Sequence, residues 1–295
     1  NDDNDNNALT YRVGPTCRDI VIYEKDLKES FKKLTKPGKS SGPDEILAKD
    51  LNIIGFDIIN SLKYIFNKSI ESSKFPSLWK AGEVKCLYKK GNKSNCENYR
   101  PMSLLSIPSK IFESIVTKNI DDHLENFNLY DNRQWGFRKK RSTEHVLLNM
   151  TEKWRKCIDQ NQVVGVLFID FRKAFDSIDH MILMKKLQAC GISVNLYEWV
   201  LNYLEDRSQY TTIEDTKSDF CNVDFGVPQG SLLGPKLFSI SSSDLPQIST
   251  DFEIDMFADD TTAFCISGSV DSVMIKIDCM VSIISICSIV NGLSF

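Results

Sequence analysis

Two acidic features of this sequence lie in settings where carboxylates are costly. Asp259 and Asp260 are adjacent within a β-prone apolar run, and Asp170 directly follows the continuous apolar run 163–169. Like charges repel each other, and burial penalises their ionised forms. A divalent cation is the usual compensation. An aspartate that closes a buried strand, together with an Asp-Asp hairpin, supplies the minimum for a two-metal phosphoryl-transfer site.

The composition is that of an ordinary globular protein. The 295 residues are 42% hydrophobic and 26% charged, which allows a full core in one large domain or two small ones. The net charge of -4 argues mildly against a nucleic-acid partner, but basic residues gather within 85–100 and 133–141. Local fields, rather than the net charge, attract phosphates, so these clusters keep a nucleic-acid partner open.

The cysteines and the apolar stretches bear on the compartment. Nine cysteines occur without a Cys-x-x-Cys pair, which predicts neither a zinc site nor a disulfide framework. We therefore expect a reducing intracellular compartment, either nucleus or cytoplasm. The most apolar stretch, 279–290, is about twelve residues long, too short for a bilayer, so no membrane association is expected. The sequence starts without methionine and stops inside a helical pattern, which predicts a fragment of a longer protein.

Hydrophobic periodicity predicts helices and strands that interleave without strict alternation, as in an α+β fold. Ser142 is predicted to cap the helix that follows it, and Gly191 to end a helix. Asp176, Asp179 and His180 are predicted to cap and orient the helix that follows them. One helix face is expected to be buried, and it consists of Val146, Leu147, Met150, Trp154, Cys157 and Ile158. The predicted strands are 83–88, 163–169, 210–213, 220–225 and the acidic hairpin. The predicted helices include 46–65, 110–127, 181–190, 196–204, one opened by Pro235 and one that ends near Val290.

Five segments hold most of the candidate functional residues. They are 98–105 (NYRPMSLL), 134–138 (QWGFR), 168–176 (FIDFRKAFD), 226–235 (GVPQGSLLGP) and 257–260 (FADD). In this order and at these separations, the series resembles the reverse transcriptases of non-LTR (LINE-type) retrotransposons. The resemblance extends from 36–44 (KPGKSSGPD) to the end of the chain. One segment alone is weak, because an Asp-Asp pair or a Pro-Gln-Gly also occurs by chance.

The resemblance implies a right-hand polymerase of the α+β class, with fingers and palm but without the thumb. The palm would contain an antiparallel sheet with helices packed on one face. Residues 1–75 would form an N-terminal extension with helices and a disordered start. Residues 76–162 would form the fingers, and residues 163–295 the palm, truncated before the thumb.

By the same resemblance, Asp170 and Asp259 would hold two Mg²⁺ ions, with Asp260 as the third acidic residue; Mn²⁺ is a possible substitute. One ion would lower the pKa of the primer 3′-hydroxyl, and the other would bind the triphosphate. Such ions lie ~3.5–4 Å apart, so the carboxylates must converge from two strands.

The resemblance also assigns residues that bind substrates. Lys89 and Arg100 would grip the triphosphate of the dNTP, and Gln229 would help to position the incoming nucleotide. The ring of Phe175 would exclude a ribose 2′-hydroxyl; the alternative is an ordinary core phenylalanine.

Two further basic residues are candidates for the template. Arg138 and Arg141 would contact template phosphates; the alternative is a solvated basic loop.

The expected function is that of an RNA-directed DNA polymerase, part of a retrotransposon polyprotein, with an RNA template, a DNA primer and dNTPs as partners. The segment 238–245 reads FSISSSDL, where the family usually carries a sequence such as Tyr-Ile-Asn-Asp-Leu, and loss of that aromatic ring would loosen the palm. A catalytically inactive nucleic-acid-binding remnant of the same fold therefore stays open. Other polymerases are also open, namely an intron maturase or an RNA-templated RNA polymerase, although the latter typically has glycine where this chain has Ala258.

Overall fold

The computed structural model describes residues 13–293. The described chain divides into two compact units, each assembled from separate stretches. The first unit consists of 13–15, 124–190 and the described residues from Leu237 onward, and the second of 16–123 and 191–236. The boundaries expected after residues 75 and 162 stay predictions. The disordered start expected for the chain lies mostly within residues 1–12, outside the described residues.

The described residues contain nine α-helices and eight strands, so the α+β class expected from the sequence is correct. The helices are α1 (Glu24–Leu34), α2 (Ala48–Ile54), α3 (Ile59–Glu71), α4 (Ile107–Asn126), α5 (Thr143–Asp159), α6 (His180–Ala189), α7 (Val194–Leu204), α8 (Gly234–Ser241) and α9 (Val270–Val290). The strands are β1 (Ala81–Tyr88), β2 (Tyr99–Leu104), β3 (Val163–Ile169), β4 (Arg207–Ile213), β5 (Thr216–Lys217), β6 (Cys221–Val223), β7 (Glu253–Phe257) and β8 (Asp260–Ser267).

The first unit contains a three-stranded antiparallel sheet in the order β3-β8-β7. Helix α9 packs on β3 and β8, and α5 packs on β3 and β7. The two helices lie on opposite faces, because α9 meets Gly165 whereas α5 contacts Phe264, the partner of Val166. The expectation of helices on only one face of this sheet is therefore wrong. The approach of α9 is close at Gly165 in β3, where a methyl group would lie 2.4 Å from the Val273 side chain. Glycine thus lets the helix sit directly on the strand.

The second unit contains a sheet in the order β2-β1-β4-β5, with β6 also paired to β4. β1 and β2 form an antiparallel hairpin, whereas β1 and β4 run parallel. The core of this unit is rich in aromatic rings. Phe66 stacks on Phe112 at 4.4 Å between centroids, and Trp199 meets Phe112 edge-on at 4.9 Å. These rings join α3, α4 and α7 into one buried layer.

The helix caps agree with the sequence. The Ser142 hydroxyl accepts the backbone N–H of His145, and one Asp179 carboxylate oxygen accepts those of Met181 and Ile182. Gly191 has a φ of 77°, the left-handed conformation expected just past a helix. The predictions of these two N-caps and of this helix end are confirmed.

The buried face predicted for α5 is only partly correct. Val146 and Met150 are buried, but Leu147 and Ile158 are more than half exposed. Successive helical residues are about 100° apart around the axis, so Leu147 cannot share the face of Val146. The apolar composition of α5 therefore overstated the width of its core face.

The final helix is longer than its most apolar part suggested. α9 has 21 residues, and among the described residues it is a helix long and apolar enough to cross a membrane by length and composition alone. The length argument from 279–290 was therefore wrong. A mostly buried core helix passes the same test, whereas only 22% of the apolar window in α9 is buried, with Val273, Met280 and Ile284 on its buried side. The absence of membrane association stays a prediction.

Candidate active site

The acidic pair lies at the turn between β7 and β8. Phe257 pairs with Asp260, which leaves Ala258 and Asp259 as a two-residue hairpin turn. Ala258 has a φ of 61°, a positive value of the kind that tight hairpin turns require. A left-handed backbone costs a non-glycine residue about 1 kcal/mol, so the surrounding contacts must hold this turn in place.

Asp170 reaches the same end of the sheet from β3. The last pair of the β3–β8 ladder joins Ile169 to Thr261, and the next position in register places Asp170 opposite Asp260. Residues directly opposite in an antiparallel pair project from the same face. Ile169 and Thr261 project from the other face, where their exposed fractions are 8% and 3%. Strand pairing therefore brings Asp170 and Asp260 together on one face, next to the turn that holds Asp259.

The three carboxyl groups interact electrostatically. Partial burial raises the pKa of Asp260, and the charges of Asp259 and Asp170 raise it further. The ionised form of Asp260 is therefore disfavoured unless a cation lies nearby.

The candidate ligand atoms are carboxylate oxygens, and hard divalent cations prefer oxygen ligands. Within residues 13–293, however, no group of three His, Cys, Asp or Glu side chains already has the arrangement of metal ligands. Asp170 and Asp259 nevertheless lie close enough to Asp260 for their charges to act on it. Two Mg²⁺ ions at this place stay a proposal.

Arg138 is held within the first unit. Its guanidinium group donates to both carboxylate oxygens of Glu125 at 2.9 and 2.8 Å, and to the Asp131 carbonyl at 2.8 Å. It also lies over the Tyr130 ring, and its side chain is only 7% exposed. These contacts direct the guanidinium donors inward, so Arg138 fixes the loop that follows α4. Its contact with template phosphates stays a prediction.

Arg141 is more accessible. Its guanidinium carbon lies 4.6 Å from the centre of the Trp135 ring, and one nitrogen donates to the Asn132 carbonyl at 2.8 Å. The side chain is half-buried, and the ring orients it without neutralising it. Of the two arginines, Arg141 has the geometry better suited to a phosphate.

Lys89 and Arg100 lie near the tip of the β1–β2 hairpin in the second unit. Arg100 pairs with Leu87, and the Lys89 N–H donates to the Asn98 carbonyl at 2.8 Å. Residues two apart on a strand share a face, so Lys89 lies on the face of Leu87 and therefore of Arg100. Both residues are exposed. The hairpin thus presents two adjacent cations to solvent.

Gln229 lies in a turn against the same hairpin. The Ser103 N–H donates to the Gln229 carbonyl at 2.7 Å. Gly230 has a φ of 124°, and a methyl group there would lie 2.5 Å from the Ser103 carbonyl oxygen. Only glycine adopts this φ readily and leaves enough space for the Ser103 carbonyl oxygen. The turn is therefore fixed to β2, the strand that also contains Arg100.

Phe175 lies in the first unit between two other phenylalanines. Its ring stacks on Phe238 at 4.9 Å and meets Phe137 edge-on at 6.2 Å between centroids. The side chain is half-buried, so one part of the ring is accessible. Phe175 is therefore held in a fixed orientation without being an ordinary fully buried core residue.

Comparison with known proteins identifies the family. Residues 88–288 match the family described as reverse transcriptase (RNA-dependent DNA polymerase), which covers more than half of the chain. The chain belongs to the reverse transcriptase family. The matched region includes Asp170, Asp259 and Asp260, as well as all five sequence segments in full.

Three relatives place this reverse transcriptase among those of non-LTR retrotransposons, as its sequence predicted. The chain is 30% identical over 226 residues to a probable RNA-directed DNA polymerase from transposon BS of Drosophila melanogaster, covering 76% of the chain and 25% of that protein. It is 28% identical over 240 residues to the RNA-directed DNA polymerase from mobile element jockey of the same organism, covering 79% and 26%. It is 28% identical over 231 residues to the Pol polyprotein from type-1 retrotransposable element R1 of Bradysia coprophila, covering 77% and 22%. The chain thus spans about a quarter of the length of these relatives.

Two charged residues of this reverse transcriptase have roles that the sequence did not reveal. Glu113 in α4 is fully buried and accepts backbone N–H groups from Leu232 and Leu233. Lys186 in α6 is also buried and pairs with Asp244 at 2.6 Å. The signal in the sequence was a charged residue within an apolar helix face. The sequence could not show which groups these charges bind, because their partners lie far away in the chain.

The serine-rich segment is part of the core of the first unit. Ser239, Ser241 and Ser242 are all buried, and the Ser242 hydroxyl donates to the Phe238 carbonyl at 3.0 Å. The Ser241 hydroxyl is buried without a hydrogen-bond partner. The departure from the usual family sequence is therefore accommodated by small polar side chains within a packed interior.

Proposed function

We propose that this chain is the polymerase portion of a longer retrotransposon protein and extends a DNA primer on an RNA template with dNTPs. In this proposal, 76–162 belong to the fingers and the residues from 163 onward to the palm. This assignment of residues to fingers and palm rests on the five sequence segments, which follow the order typical of the family. The nine cysteines without a Cys-x-x-Cys pair support a reducing intracellular compartment, nucleus or cytoplasm.

One observation supports the chemistry most directly: Asp170 follows the last paired residue of β3, at the end of the sheet where β8 begins with Asp260 and the turn holds Asp259. These three residues would hold divalent metal, Mg²⁺ or Mn²⁺, which when bound supplies positive charge to activate the 3′-hydroxyl and to neutralise the triphosphate. The role of the chain itself is to present oxygen donors from a rigid strand and a tight turn. Their mutual repulsion favours occupation by a cation.

The remaining candidates would handle substrates. Lys89 and Arg100 would bind the phosphates of the dNTP, because they offer adjacent exposed cations. Gln229 would position the nucleotide from a turn that β2 holds in place. Phe175 would exclude ribonucleotides by its bulk, and Arg141 would contact the template backbone.

The test is primer extension. Because the chain matches only about a quarter of each relative, the protein encoded by the complete open reading frame is purified and given an RNA template, a DNA primer, dNTPs and Mg²⁺. We expect extension, and we expect Asp259→Ala to reduce it by about 10²–10³-fold or more, the scale of losing an active-site charge interaction. The exposed Asp251, changed to alanine, is the matched control. Extension that survives Asp259→Ala would refute the assigned role.

One observation favours the alternative of an inactive nucleic-acid-binding remnant. Ser241 leaves a hydroxyl buried without a partner, which is an imperfection in the core of the first unit. The remnant would bind the primer–template duplex but would not extend it under any metal condition. Binding without extension by the wild-type protein therefore decides for this alternative.

A further inference from the structure

The segment predicted to contact the template also joins the sheet of the first unit. The Trp135 N–H donates to the Met256 carbonyl at 2.8 Å, and the Met256 N–H donates to the Arg133 carbonyl at 2.8 Å. Gln134 forms a parallel bridge with Met256. These bonds add 133–135 to the free edge of β7. The segment therefore supports the strand that leads into the acidic turn.

Gly136 continues this segment directly onto the turn. A methyl group at Gly136 would lie 2.1 Å from the Ala258 nitrogen, 2.8 Å from its Cα and 3.0 Å from the Phe257 carbonyl carbon. These are backbone atoms, so no side chain can swing away to make room. The φ of Gly136 is not in the left-handed region, so the requirement for glycine here is one of space alone.

Side-chain contacts hold the segment at that distance. The indole N–H of Trp135 donates to the Asp255 carboxylate at 2.8 Å, and Asp255 is only 2% exposed. The Gln134 side-chain oxygen accepts the Gly136 N–H at 3.0 Å, and Gln134 is also buried. Both the segment and β7 are therefore fixed at the point where they meet.

We propose that Gly136, supported by Trp135, is a positioning residue that sets the location of the Ala258–Asp259 turn. This inference rests on the proposed function, because the position of the turn affects the reaction through the carboxylate of Asp259. Restoring an ordinary contact distance after a methyl group is added would displace the turn by about 1 Å, and misplacements of that size can cost about 10²-fold in rate. The segment 134–138 thus acts on the acidic turn, in addition to any contact with the template.

The first experiment compares Gly136→Ala with Gly268→Ala. Gly268 lies in the same unit, has no atom within 4 Å of an added methyl group and has no left-handed φ, so it is a matched control. In the complete protein we expect Gly136→Ala to lower kcat by about 10²-fold, with the dNTP KM and the primer–template Kd within about twofold of wild type. Gly268→Ala should match wild type in all three quantities.

The second readout does not depend on activity. Mn²⁺ binding to the 295-residue chain is measured by electron paramagnetic resonance. We expect Gly136→Ala to weaken Mn²⁺ binding by about tenfold, which is the lower end of the affinity losses caused by changing residues that support metal ligands. Gly268→Ala should leave Mn²⁺ binding unchanged. Circular dichroism shows whether each variant is folded.

Trp135→Phe keeps the test valid if Gly136→Ala does not fold. Phenylalanine keeps the backbone bonds and most of the ring but removes the indole N–H, which leaves Asp255 without that donor. We expect a smaller loss in kcat and Mn²⁺ affinity, in the same direction. Equal Mn²⁺ affinity in wild type and the folded variants would overturn the inference, and so would a loss confined to primer–template affinity. Absence of extension by wild type counts against the proposed function, while the Mn²⁺ titration still decides the inference.

Discussion

The carboxylate of Glu113 accepts the backbone N–H of Leu232 at 2.8 Å, across 119 positions of sequence. The same oxygen accepts the Leu233 N–H at 3.4 Å, and the other oxygen accepts the Ser109 hydroxyl at 2.9 Å. These bonds hold the chain between the turn that contains Gln229 and the start of α8. A buried carboxylate at this place satisfies N–H groups that would otherwise lack partners.

Removing this carboxylate should destabilise the fold. We expect Glu113→Ala to lower the free energy of unfolding by about 3 kcal/mol, because buried N–H groups lose their acceptor and a void is left. Glu113→Gln keeps a side-chain oxygen as acceptor and should lose less. Urea denaturation of the 295-residue chain measures both. Equal losses in the two variants would show that the hydrogen bonds contribute nothing.

The pH dependence of stability should also report on Glu113. Burial raises the pKa of this carboxyl above its ordinary value of 4.5, although the hydrogen bond from Leu232 and the charge of Arg207 oppose the rise. A raised folded-state pKa means that the folded protein holds the proton more tightly than the unfolded chain. The contribution of Glu113 to stability is therefore largest below pH 4.5 and falls as the pH rises through the folded-state pKa.

The measurement is the difference in unfolding free energy between wild type and Glu113→Gln, from pH 4 to pH 8. We expect wild type to lose stability relative to this variant as the pH rises, by about 1.4 kcal/mol for each unit of pKa elevation. A difference that does not change with pH would contradict the raised pKa.

Phe175→Ala should relax the choice of sugar. Phe137 and Phe238 hold the ring in place, so truncation leaves a gap where the bulk of the side chain stood. We expect ribonucleotide incorporation relative to deoxynucleotide incorporation to rise by about 10–10²-fold, the range for a steric contact of this size. Single-nucleotide extension with rNTPs and dNTPs gives the ratio. The exposed Phe220, changed to alanine, is the control, and an unchanged ratio in Phe175→Ala would make Phe175 a core residue.

Lys186→Met should be strongly destabilising. The Lys186 ammonium group binds Asp244 and Asn291, each at 2.6 Å, and the Ser241 carbonyl, while burial lowers its pKa. Loss of the cation leaves the Asp244 charge buried without an opposite charge beside it, at a cost of about 3–5 kcal/mol. Thermal and urea denaturation measure the loss. Exposed Lys185→Met should have almost no effect, and adding Asp244→Asn to Lys186→Met should recover part of the loss.

Ser241→Ala should stabilise the protein. The Ser241 hydroxyl is buried without a hydrogen-bond partner, so its removal relieves a desolvation cost of about 1 kcal/mol. Ser242→Ala is the matched comparison, because that hydroxyl donates to the Phe238 carbonyl and its loss should be neutral or destabilising. The unfolding free energies of the two variants, each compared with that of wild type, show whether the Ser241 hydroxyl destabilises the protein. Destabilisation by Ser241→Ala would show that its hydroxyl has a partner such as water.

Patterns within a few residues gave reliable predictions. The N-caps Ser142 and Asp179 and the helix end at Gly191 are local devices, since each satisfies or terminates a helix by contacts three or four residues away. Side-chain burial was less predictable. Phe168 in the apolar run of β3 is 75% exposed, because it lies on the same face as Asp170. The run of apolar residues could not show that this strand has an open face.

The sequence by itself determined the family, the identity and order of the acidic residues, and the elements on which they lie. Those features depend on local periodicity and on short motifs. Only the tertiary structure decided that Asp170 and Asp260 meet at one end of the sheet, that Gly136 touches the Asp259 turn and that Glu113 binds Leu232. Each of these contacts is set by strand register or by close packing between segments far apart in the chain. A pattern along the sequence does not show which distant segments come into contact.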